Sequence, residues 1–272
     1  MHGLVELDAD HPGFRDPEYR RRRHTIAAIA NAHVEGTPVL LVAYTADEQR
    51  VWRAVCDHLR PLHEAHLHPE LQATQRRLEL LDHDLPQLED VNQVLEETGF
   101  RMEPVAGLVT ARDFLEALGR GTFMSTQYLR HGSRPLYTPE PDLVHELVGH
   151  AASLLHPGIA AVSRSFGEAA ARADDREIEA LVRIYWWTLE FGLVRHDGAL
   201  KAIGAGLLSS AGELAGAVDE TSAHPVLQAW DVGLMAATDY DPTQPNPGLF
   251  VAPSLEHFIG DLCGWLTRRR AA

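Results

Sequence analysis

The 272-residue sequence predicts a mainly α-helical chain that forms a single domain with a few short strands. Two observations support this prediction. Helix start signals and helical apolar spacing recur along most of the chain, whereas strand-like runs are few and short. In addition, 45% hydrophobic and 23% charged residues are typical of a globular protein, and no repeat or low-complexity linker divides the sequence.

Helix signals begin near the N-terminus and continue to about residue 219. Asp16 supplies an N-cap and Pro17 a first-turn proline for a helix over Tyr19–Ala32. Thr45 and Glu48 form a capping box that opens the next helix. Further helices are predicted over 64–82, 88–99, 111–118, 142–155, 158–171, 175–192 and 213–219.

Strand signals are confined to Val39–Ala43, Met102–Val105 and Leu249–Val251. Proline clusters over 135–141 and 242–253 predict shaped loops and not domain boundaries.

Charge and hydropathy disfavour two classes of partner. The formal net charge is −15 and the pI is near 5.4. Because phosphate binding needs a basic face, nucleic acid and anionic membranes are disfavoured. We expect the short basic runs at 20–23 and 268–270 to be solvated surface. No apolar run approaches the ~20 residues of a membrane span, and the N-terminus has no signal pattern, so we expect a cytoplasmic protein.

Two histidines and a glutamate form the clearest candidate site. His145 and His150 lie in one predicted helix, and Glu190 lies in a later one. Two imidazoles and one carboxylate suit non-haem iron(II), which keeps open coordination positions. Both rings can reach one ion only if they converge from different sides of the helix, or if the helix is distorted near Gly149, where a missing side chain permits close approach.

Two other interpretations of the histidine pair remain open at this point. In a zinc-protease helix the histidines are four apart and the intervening glutamate, here Glu146, is the general base. The fifth position rotates His150 by roughly 100°, which disfavours a zinc hydrolase. Chance placement is the other interpretation, and for the pair alone it is about as probable as metal binding.

Further motifs, all in one order along the chain, accompany the histidine pair: Pro86–Val91, Pro104–Gly107, Arg112–Leu115, Thr126–His131, Tyr137–Asp142 and Ala205–Ser210. With them the sequence resembles the catalytic domain of the tetrahydropterin-dependent aromatic amino acid hydroxylases, and most of all the compact bacterial phenylalanine hydroxylases. The resemblance covers about residues 11–255, from His11-Pro12-Gly13-Phe14 onward, and is weak after Glu213.

The resemblance implies a mostly helical catalytic domain that holds one iron(II) in a cleft. His145, His150 and Glu190 would be the protein ligands, and open positions would remain for water and dioxygen. A second cofactor, tetrahydrobiopterin or a related tetrahydropterin, would supply two electrons for hydroxylation of an aromatic ring. The protein would position the pterin and the ring and exclude water.

Five residues match the pterin site of the resembled family. Phe114 would stack on the pterin, and Gly107 and Val109 would offer backbone contacts. Glu146 and Tyr185 would lie beside the iron, as catalytic residues that also contact the cofactor. Taken without the resemblance, Phe114 would more often be a core residue, and Glu146 a solvated charge or a partner of the ligand histidine.

The amino acid substrate needs a cation for its carboxylate and a wall for its ring. Arg130 matches the family's carboxylate-binding residue, although an ion pair with Asp142 or Glu140 would also use its planar guanidinium. The other matched residues would lie near the substrate backbone or form the pocket walls, and they are Thr138, Ser209, Gly206, Pro141 and Trp186.

Departures from the family pattern concern the substrate ring more than the iron or the pterin. Val144 replaces a usual cysteine, Ala152 replaces a usual proline, and the segments Gly119–Ser125 and Asp239–Pro247 differ. Because Trp186 is the phenylalanine-type residue, the expected substrate is free L-phenylalanine and the expected product is tyrosine. The alternatives are a phenylalanine 3-hydroxylase that gives meta-tyrosine for secondary metabolism, and a tryptophan hydroxylase.

The same resemblance leads to an expectation about domains and partners. It starts at His11 and no heptad helix follows Arg270, so we expect one catalytic domain over residues 1–272, no regulatory domain, and a monomer. The expected partners are the amino acid, the pterin and O2. A binding protein that has lost its metal is disfavoured, because all three candidate ligands are present.

Overall fold

Helices make up most of the computed structural model, which describes residues 7, 9, 11–80 and 84–268. They are α1 Pro17–Ala32, α2 Ala46–His66, α3 Pro69–Leu78, α4 Leu88–Leu95, α5 Ala111–Gly119, α6 Ala152–Leu154, α7 Pro157–Ala170, α8 Asp175–Tyr185, α9 Ala205–Leu208, α10 Ala211–Val218, α11 Val232–Ala237 and α12 Leu255–Arg268. The predicted caps are present, since Asp16 accepts from two backbone N–H groups of α1 and Thr45 closes a capping box with Glu48. The mainly α fold class is confirmed.

The helical segments that carry the candidate metal ligands change to π-helix. His145–Ala151 forms a first π segment before α6, and Trp186–Glu190 forms a second π segment after α8. At the end of the second segment the N–H of Phe191 donates to the carbonyl of Trp186, five residues earlier, over 3.0 Å. The helices predicted over 142–155 and 175–192 are therefore both interrupted by π geometry, which is rare and often found at functional sites.

Six short strands form two sheets in the described part of the chain. β1 Arg101–Pro104 and β2 Thr122–Ser125 pair in parallel. The second sheet has the order β4-β3-β6-β5, and its strands are β3 Leu193–His196, β4 Ala199–Ala202, β5 Val226–Ala229 and β6 Gly248–Ala252. Within it only β3 and β4 are antiparallel. β1 and β6 match predicted strands, whereas β2 to β5 and helices α9, α11 and α12 were not predicted.

The predicted strand Val39–Ala43 was wrong. Its backbone is bonded by side chains at the start of α4 and not by a neighbouring strand. The N–H of Val39 donates to Glu89 over 2.8 Å, and Val42 exchanges two hydrogen bonds with the carboxamide of Gln87 over 2.9 and 3.0 Å. These side chains satisfy the extended chain, so no ladder partner is needed.

The single helix predicted over 64–82 was also wrong. Two helices share this region, because α2 ends at His66 and α3 starts at Pro69. Proline fits the first turn of a helix but disfavours helical geometry in the residue before it, which places the break at Leu67–His68. The predicted end of the helix, Leu81–Asp82, lies outside the described residues.

The basic run at 20–23 is not simply solvated. Arg23 is only 3% exposed, its guanidinium carbon lies 3.2 Å from the ring centroid of Tyr128, and it binds Glu140 over 2.6 Å. Arg22 pairs with Glu48 over 2.8 Å. This side of α1 therefore faces the protein, and the expectation of a solvated run was wrong for its second half.

One large group of buried apolar residues runs from Val39 to Leu266 and joins most of these elements. It surrounds the two π segments, so the candidate ligands project from the middle of the core. None of the described helices is long and apolar enough to cross a membrane.

Candidate active site

The π geometry brings the two histidines to the same side of their helix. A π-helix closes its hydrogen bonds between residues five apart, so positions i and i+5 lie nearly above one another, as His145 and His150 do. Their Nε2 atoms are 3.0 Å apart. Glu190 meets them from the second π segment, with its carboxylate oxygens 2.9 Å from His150 and 3.5 Å from His145. Local helix distortion, one of the two routes considered from the sequence, is the one observed.

The donor set fits one metal ion. All three donor atoms lie within 4.8 Å of one another, and no other such group occurs in residues 7, 9, 11–80 and 84–268. With bonds of about 2.1 Å, cis ligands of an octahedral ion are about 3.0 Å apart, close to the three separations observed here. Two imidazoles and one carboxylate on one face leave the opposite positions for exogenous ligands, as in non-haem iron(II) oxygenases.

The charges of the three groups suit a cation. Burial lowers the pKa of His145 to about 4, so its ring is neutral near pH 7. Burial disfavours the Glu190 carboxylate, but His150 and His145 outweigh this effect and lower its pKa. For His150 the Glu190 carboxylate outweighs burial and raises the pKa. A metal would take the place of the proton that these groups otherwise share, because ligands must be deprotonated to bind it.

Ser209 orients the ring of His145. Its Oγ donates to the carbonyl of Ala205 over 2.9 Å and lies 3.0 Å from Nδ1 of His145. Since the hydroxyl proton is used by Ala205, Oγ accepts from Nδ1–H, and the lone pair of Nε2 is left for a metal. The sequence suggested Ser209 only as a neighbour of the substrate, and the structure places it against the candidate ligand His145.

Gly149 allows the first π segment to pack directly on α9. A Cβ atom at this position would lie 2.7 Å from the carbonyl oxygen of Ala205. The missing side chain therefore permits the close backbone approach that was expected at Gly149.

Glu146 is buried behind the histidines. Its Oε1 accepts from the N–H of Thr126 over 3.2 Å and from the Thr126 hydroxyl over 3.1 Å. Burial raises the pKa of Glu146 to about 7, against the opposing effects of His150 and Thr126. Its carboxyl group can therefore either donate or accept a proton near neutral pH. Thr126 was not singled out from the sequence, although it lies in a quoted motif.

Aromatic rings line one side of the candidate metal site. Phe114 is half-buried on α5 and meets Phe123 and Tyr185 edge to face, with centroids 5.4 and 5.5 Å apart. Phe123 and Tyr185 also contact the His150 ring. The predicted pterin residues Gly107, which is half-buried, and Val109, which is exposed, lie in the loop between β1 and α5. Phe114 is therefore one aromatic contact away from a ligand histidine.

Arg130 forms the ion pair that was considered as its alternative role. It is buried, and its Nε and Nη2 donate to the two oxygens of Asp142 over 2.8 and 2.7 Å. Burial favours the neutral form of Asp142, but Arg130 outweighs this and lowers the pKa of the carboxyl. The loop before Asp142 holds Thr138, whose hydroxyl donates to the carbonyl of Glu140, and Pro141, whose carbonyl accepts from the Tyr128 hydroxyl.

Trp186 forms a wall next to Glu190. Its ring packs against Phe191 at 4.7 Å and stacks on Tyr240 at 4.2 Å, and its Nε1 donates to Asn246. Gly206 lies behind this wall, where a Cβ atom would be 2.8 Å from the Phe191 ring. The sequence showed that segment 239–247 is unusual, but it did not indicate which of its residues touch Trp186.

A mainly helical fold with a buried face of two histidines and one glutamate, lined by aromatic rings, defines the class of mononuclear non-haem metalloenzymes. The model of the biopterin-dependent aromatic amino acid hydroxylases matches residues 3–268, and the chain therefore belongs to this family. The resemblance stated from the sequence is confirmed.

Curated relatives share close to half of their aligned residues with this chain. Tyrosine 3-monooxygenase of Rattus norvegicus is 44% identical over 268 residues, which cover 97% of this chain and 53% of the relative. Phenylalanine-4-hydroxylase of Homo sapiens is 44% identical over 255 residues, which cover 92% and 56%. The chain thus spans about half the length of the curated relatives it matches.

Solved structures of bacterial phenylalanine hydroxylases have the same fold. The Chromobacterium violaceum enzyme with bound iron(III) and 7,8-dihydrobiopterin has a TM-score of 0.81 at 25% identity, covering 98% of this chain and 93% of that one. The Legionella pneumophila enzyme has a TM-score of 0.77 at 29% identity, covering 85% and 93%.

Proposed function

We propose that this chain hydroxylates the ring of free L-phenylalanine to tyrosine with iron(II), a tetrahydropterin and O2. The donor triangle of His145, His150 and Glu190 supports this function most directly. Iron and a pterin are bound in the related Chromobacterium violaceum structure. When bound, the iron would activate O2 with electrons from the tetrahydropterin. We also propose that the matched residues act as one catalytic domain, whereas a monomeric state and a cytoplasmic location stay predictions.

The three ligands would hold the iron without further side chains. His145 is kept neutral by burial and is oriented by Ser209, and Glu190 remains a carboxylate between the two histidines. Together these groups would occupy one face of the ion and leave the other face for O2 and water.

The pterin would lie on the side of Phe114. The ring of Phe114 is only half-buried and could offer a stacking surface, and the backbone of half-buried Gly107 and exposed Val109 in the preceding loop could contact the pterin. Glu146 would exchange a proton with the pterin or with water beside the iron, since Oε1 is held by Thr126 and the pKa of the group is about 7. Tyr185 would close the same side against the His150 ring.

The amino acid would lie between Arg130 and Trp186. The Nε and Nη2 atoms of Arg130 face Asp142, so we assign the substrate carboxylate to Nη1. Trp186 and Pro141 would flank the side chain of the substrate. Thr138, Ser209 and Gly206 would lie along its backbone, and the hydroxyl of Ser209 would then serve both the ligand histidine and the substrate.

Phenylalanine is favoured over tryptophan by Trp186, the phenylalanine-type residue in the resembled family. Curated relatives named for phenylalanine and for tyrosine are equally similar at 44% identity, so overall similarity does not select the substrate. Meta-hydroxylation is the second candidate, because the unusual segment 239–247 stacks Tyr240 on Trp186 and can change the position of the ring. A zinc hydrolase is not favoured, because Glu146 is bound by Thr126 and the chain belongs to the hydroxylase family.

A competition assay tests this function. The iron(II)-loaded protein would be incubated with tetrahydrobiopterin, O2 and equal amounts of ring-deuterated phenylalanine, unlabelled tyrosine and unlabelled tryptophan. The products would be separated by chromatography and identified by mass, so that tyrosine formed from phenylalanine is distinguished from the tyrosine added. We expect para-tyrosine as the main first product, with pterin oxidation in equal amount. Preferred consumption of tryptophan or tyrosine would refute the substrate. Meta-tyrosine would establish the second candidate, and iron binding without any pterin-dependent product would refute the activity.

A further inference from the structure

A buried polar pair on α2 and α3 has no place in the predicted site. His63 on α2 and Gln75 on α3 are 3% and 6% exposed. Nδ1 of His63 lies 2.7 Å from Oε1 of Gln75. Burial of a polar group destabilises the folded protein unless the group is hydrogen-bonded. Two such groups in contact inside an apolar core therefore need a structural explanation.

Each member of the pair also contacts a different backbone segment of the metal site. Nε2 of His63 lies 2.7 Å from the carbonyl oxygen of Leu208, at the end of α9. The Nε2 of Gln75 donates to the carbonyl of Val148 over 3.2 Å. Val148 lies between the two ligand histidines in the first π segment, and Leu208 directly precedes Ser209. The pair therefore bridges the segment that carries the ligands and the segment that orients one of them.

The alignment of the first π segment with α9 matters for the His145 ring. The first π segment and α9 meet at Gly149 and Ala205, where backbone lies against backbone. Such a contact limits how closely the two backbones approach, whereas a hydrogen bond also constrains their alignment. The hydrogen bond between Ser209 and Nδ1 of His145 spans 3.0 Å and depends on that alignment.

We propose that His63 and Gln75 are positioning residues that lock α9 against the first π segment, and thereby hold the His145 ring in the orientation that binds metal. This inference rests on the proposed function, because it assumes that the three ligands bind an ion. The pair acts through Leu208 and Val148 and touches neither the metal nor the substrate.

The hydrogen bonds of the bridge depend on which ring nitrogens of His63 carry a proton. The Leu208 carbonyl and the Gln75 Oε1 are both acceptors, so the two contacts at 2.7 Å use an N–H on each ring nitrogen. Burial opposes such a cation and lowers the pKa of His63. In a neutral ring, Nε2–H still donates to Leu208, and Nδ1 accepts from a carboxamide turned by half a rotation, which gives up the bond to Val148. Both ends of the bridge are therefore present together only with the doubly protonated ring, and the neutral ring keeps the tie to α9 alone.

Apolar replacements of similar size test the bridge. Gln75→Met and His63→Leu remove its polar atoms while largely filling the same space. Asn92→Leu is the matched control, because Asn92 is equally buried and its carboxamide also makes two hydrogen bonds, to the backbone of Met102 over 2.7 and 3.0 Å. Co(II) affinity by chelator competition and the visible spectrum of the Co(II) form would be measured, together with urea unfolding of each metal-free protein.

We expect Gln75→Met and His63→Leu to weaken Co(II) binding about tenfold and to shift its visible bands, as removal of outer hydrogen bonds at metal sites does. The double variant should lose no more Co(II) affinity than the single variant that binds Co(II) less tightly, because the two residues form one bridge. Asn92→Leu should lose stability but keep the affinity and the spectrum.

Two results would overturn the inference. The first is unchanged Co(II) affinity and spectrum in Gln75→Met, which alone decides the matter if His63→Leu does not fold. The second is an equal loss of affinity in Asn92→Leu, which would attribute the effect to general loosening of the core. If the unsubstituted chain binds Co(II) and the variants bind it with the same affinity and spectrum, this inference fails but the proposed function survives. If the unsubstituted chain binds no Co(II), both fall.

Discussion

The phenol ring of Tyr240 stacks on the indole of Trp186, with centroids 4.2 Å apart and planes inclined by 13°. The indole N–H of Trp186 also donates to Asn246 over 2.9 Å, and Asp239 binds Arg183 over 2.8 Å. Segment 239–247 is therefore attached near both ends, to α8 through Arg183 and to the second π segment through Trp186. The wall that would face the substrate ring is held in place by one of the segments that depart from the family pattern.

Changes in this wall should alter the position of hydroxylation more than the rate. Reacting atoms must lie ~3 to 3.5 Å apart, so a shift of the ring by about 1 Å can favour a different carbon. We expect Tyr240→Ala, and Val144→Cys at the buried position before His145, to change the ratio of meta- to para-tyrosine, as measured by chromatography. Thr243→Ala is the control, since Thr243 is exposed and bonds only to Asp241 within the segment. A constant product ratio in all variants would contradict this role.

The three ligands should be individually essential. We expect His145→Ala, His150→Ala and Glu190→Ala each to bind less than one iron per chain and to lower the hydroxylation rate at least about a hundredfold. Each substitution removes one of only three side chains that would hold the ion. Iron content, product formation and circular dichroism would be compared. Each variant should remain folded. Stoichiometric iron with near-normal turnover in any one would remove that residue from the ligand set.

The sequence indicated the ligands but not the geometry that unites them. Helical periodicity predicted a helical segment at each of the two places, yet an α-helix places His145 and His150 on different sides. The change to π-helix depends on packing, including the contact of Gly149 with Ala205, which lies more than fifty residues away along the chain. Such a contact has no local pattern, so the sequence suggested a distortion near Gly149 without its form.

The missed elements have a similar cause. Strands β2 to β5 have four residues each, too few for a clear alternation to appear. The run Val39–Ala43 shows the reverse, because its β-branched residues predicted a strand while Glu89 and Gln87 satisfy its backbone. Thr126 was hidden for another reason, since its importance comes from the burial of Glu146 and not from its own neighbours in sequence.

Ser209→Ala should reveal which of two roles the hydroxyl has. Without Oγ, the Nδ1–H of His145 loses its acceptor at 3.0 Å, and the ring can rotate or change tautomer. We expect metal affinity to fall about tenfold, as for other outer partners of ligand histidines, with a smaller change in the KM for the amino acid. Chelator competition and steady-state kinetics would separate the two effects. A raised KM at unaltered metal affinity would assign Ser209 to the substrate alone.

Gly149→Ala should damage the fold and the site together. The new Cβ would lie 2.7 Å from the carbonyl oxygen of Ala205, so α9 must move away from the ligands. We expect a loss of about 1–3 kcal/mol in the free energy of unfolding, the usual cost of overpacking, with weaker metal binding. Gly212→Ala in α10 is the control, because a Cβ there meets nothing within 4 Å and should stabilise the helix. Equal behaviour of the two variants in urea would contradict this prediction.

Arg130→Lys should impair amino acid binding far more than pterin binding. Lysine keeps the charge but lacks the planar guanidinium that binds Asp142 through Nε and Nη2. It therefore also loses Nη1, the nitrogen that we assign to the substrate carboxylate. A charged hydrogen bond is worth about 1.5–3 kcal/mol, so the KM for phenylalanine should rise about tenfold or more while the KM for the pterin stays within about twofold.

The matched control for this substitution is Arg195→Lys, since Arg195 also grips a carboxylate through two nitrogens, that of Glu220 over 3.0 and 2.6 Å, but at the surface. That variant should behave as the unsubstituted protein in both kinetics and thermal unfolding, because exposed ion pairs contribute little. Arg130→Lys should also lower the melting temperature, because Asp142 is fully buried and depends on its partner. A lower melting temperature with an unchanged KM for phenylalanine would show that Arg130 serves Asp142 only and leaves the substrate carboxylate to another group.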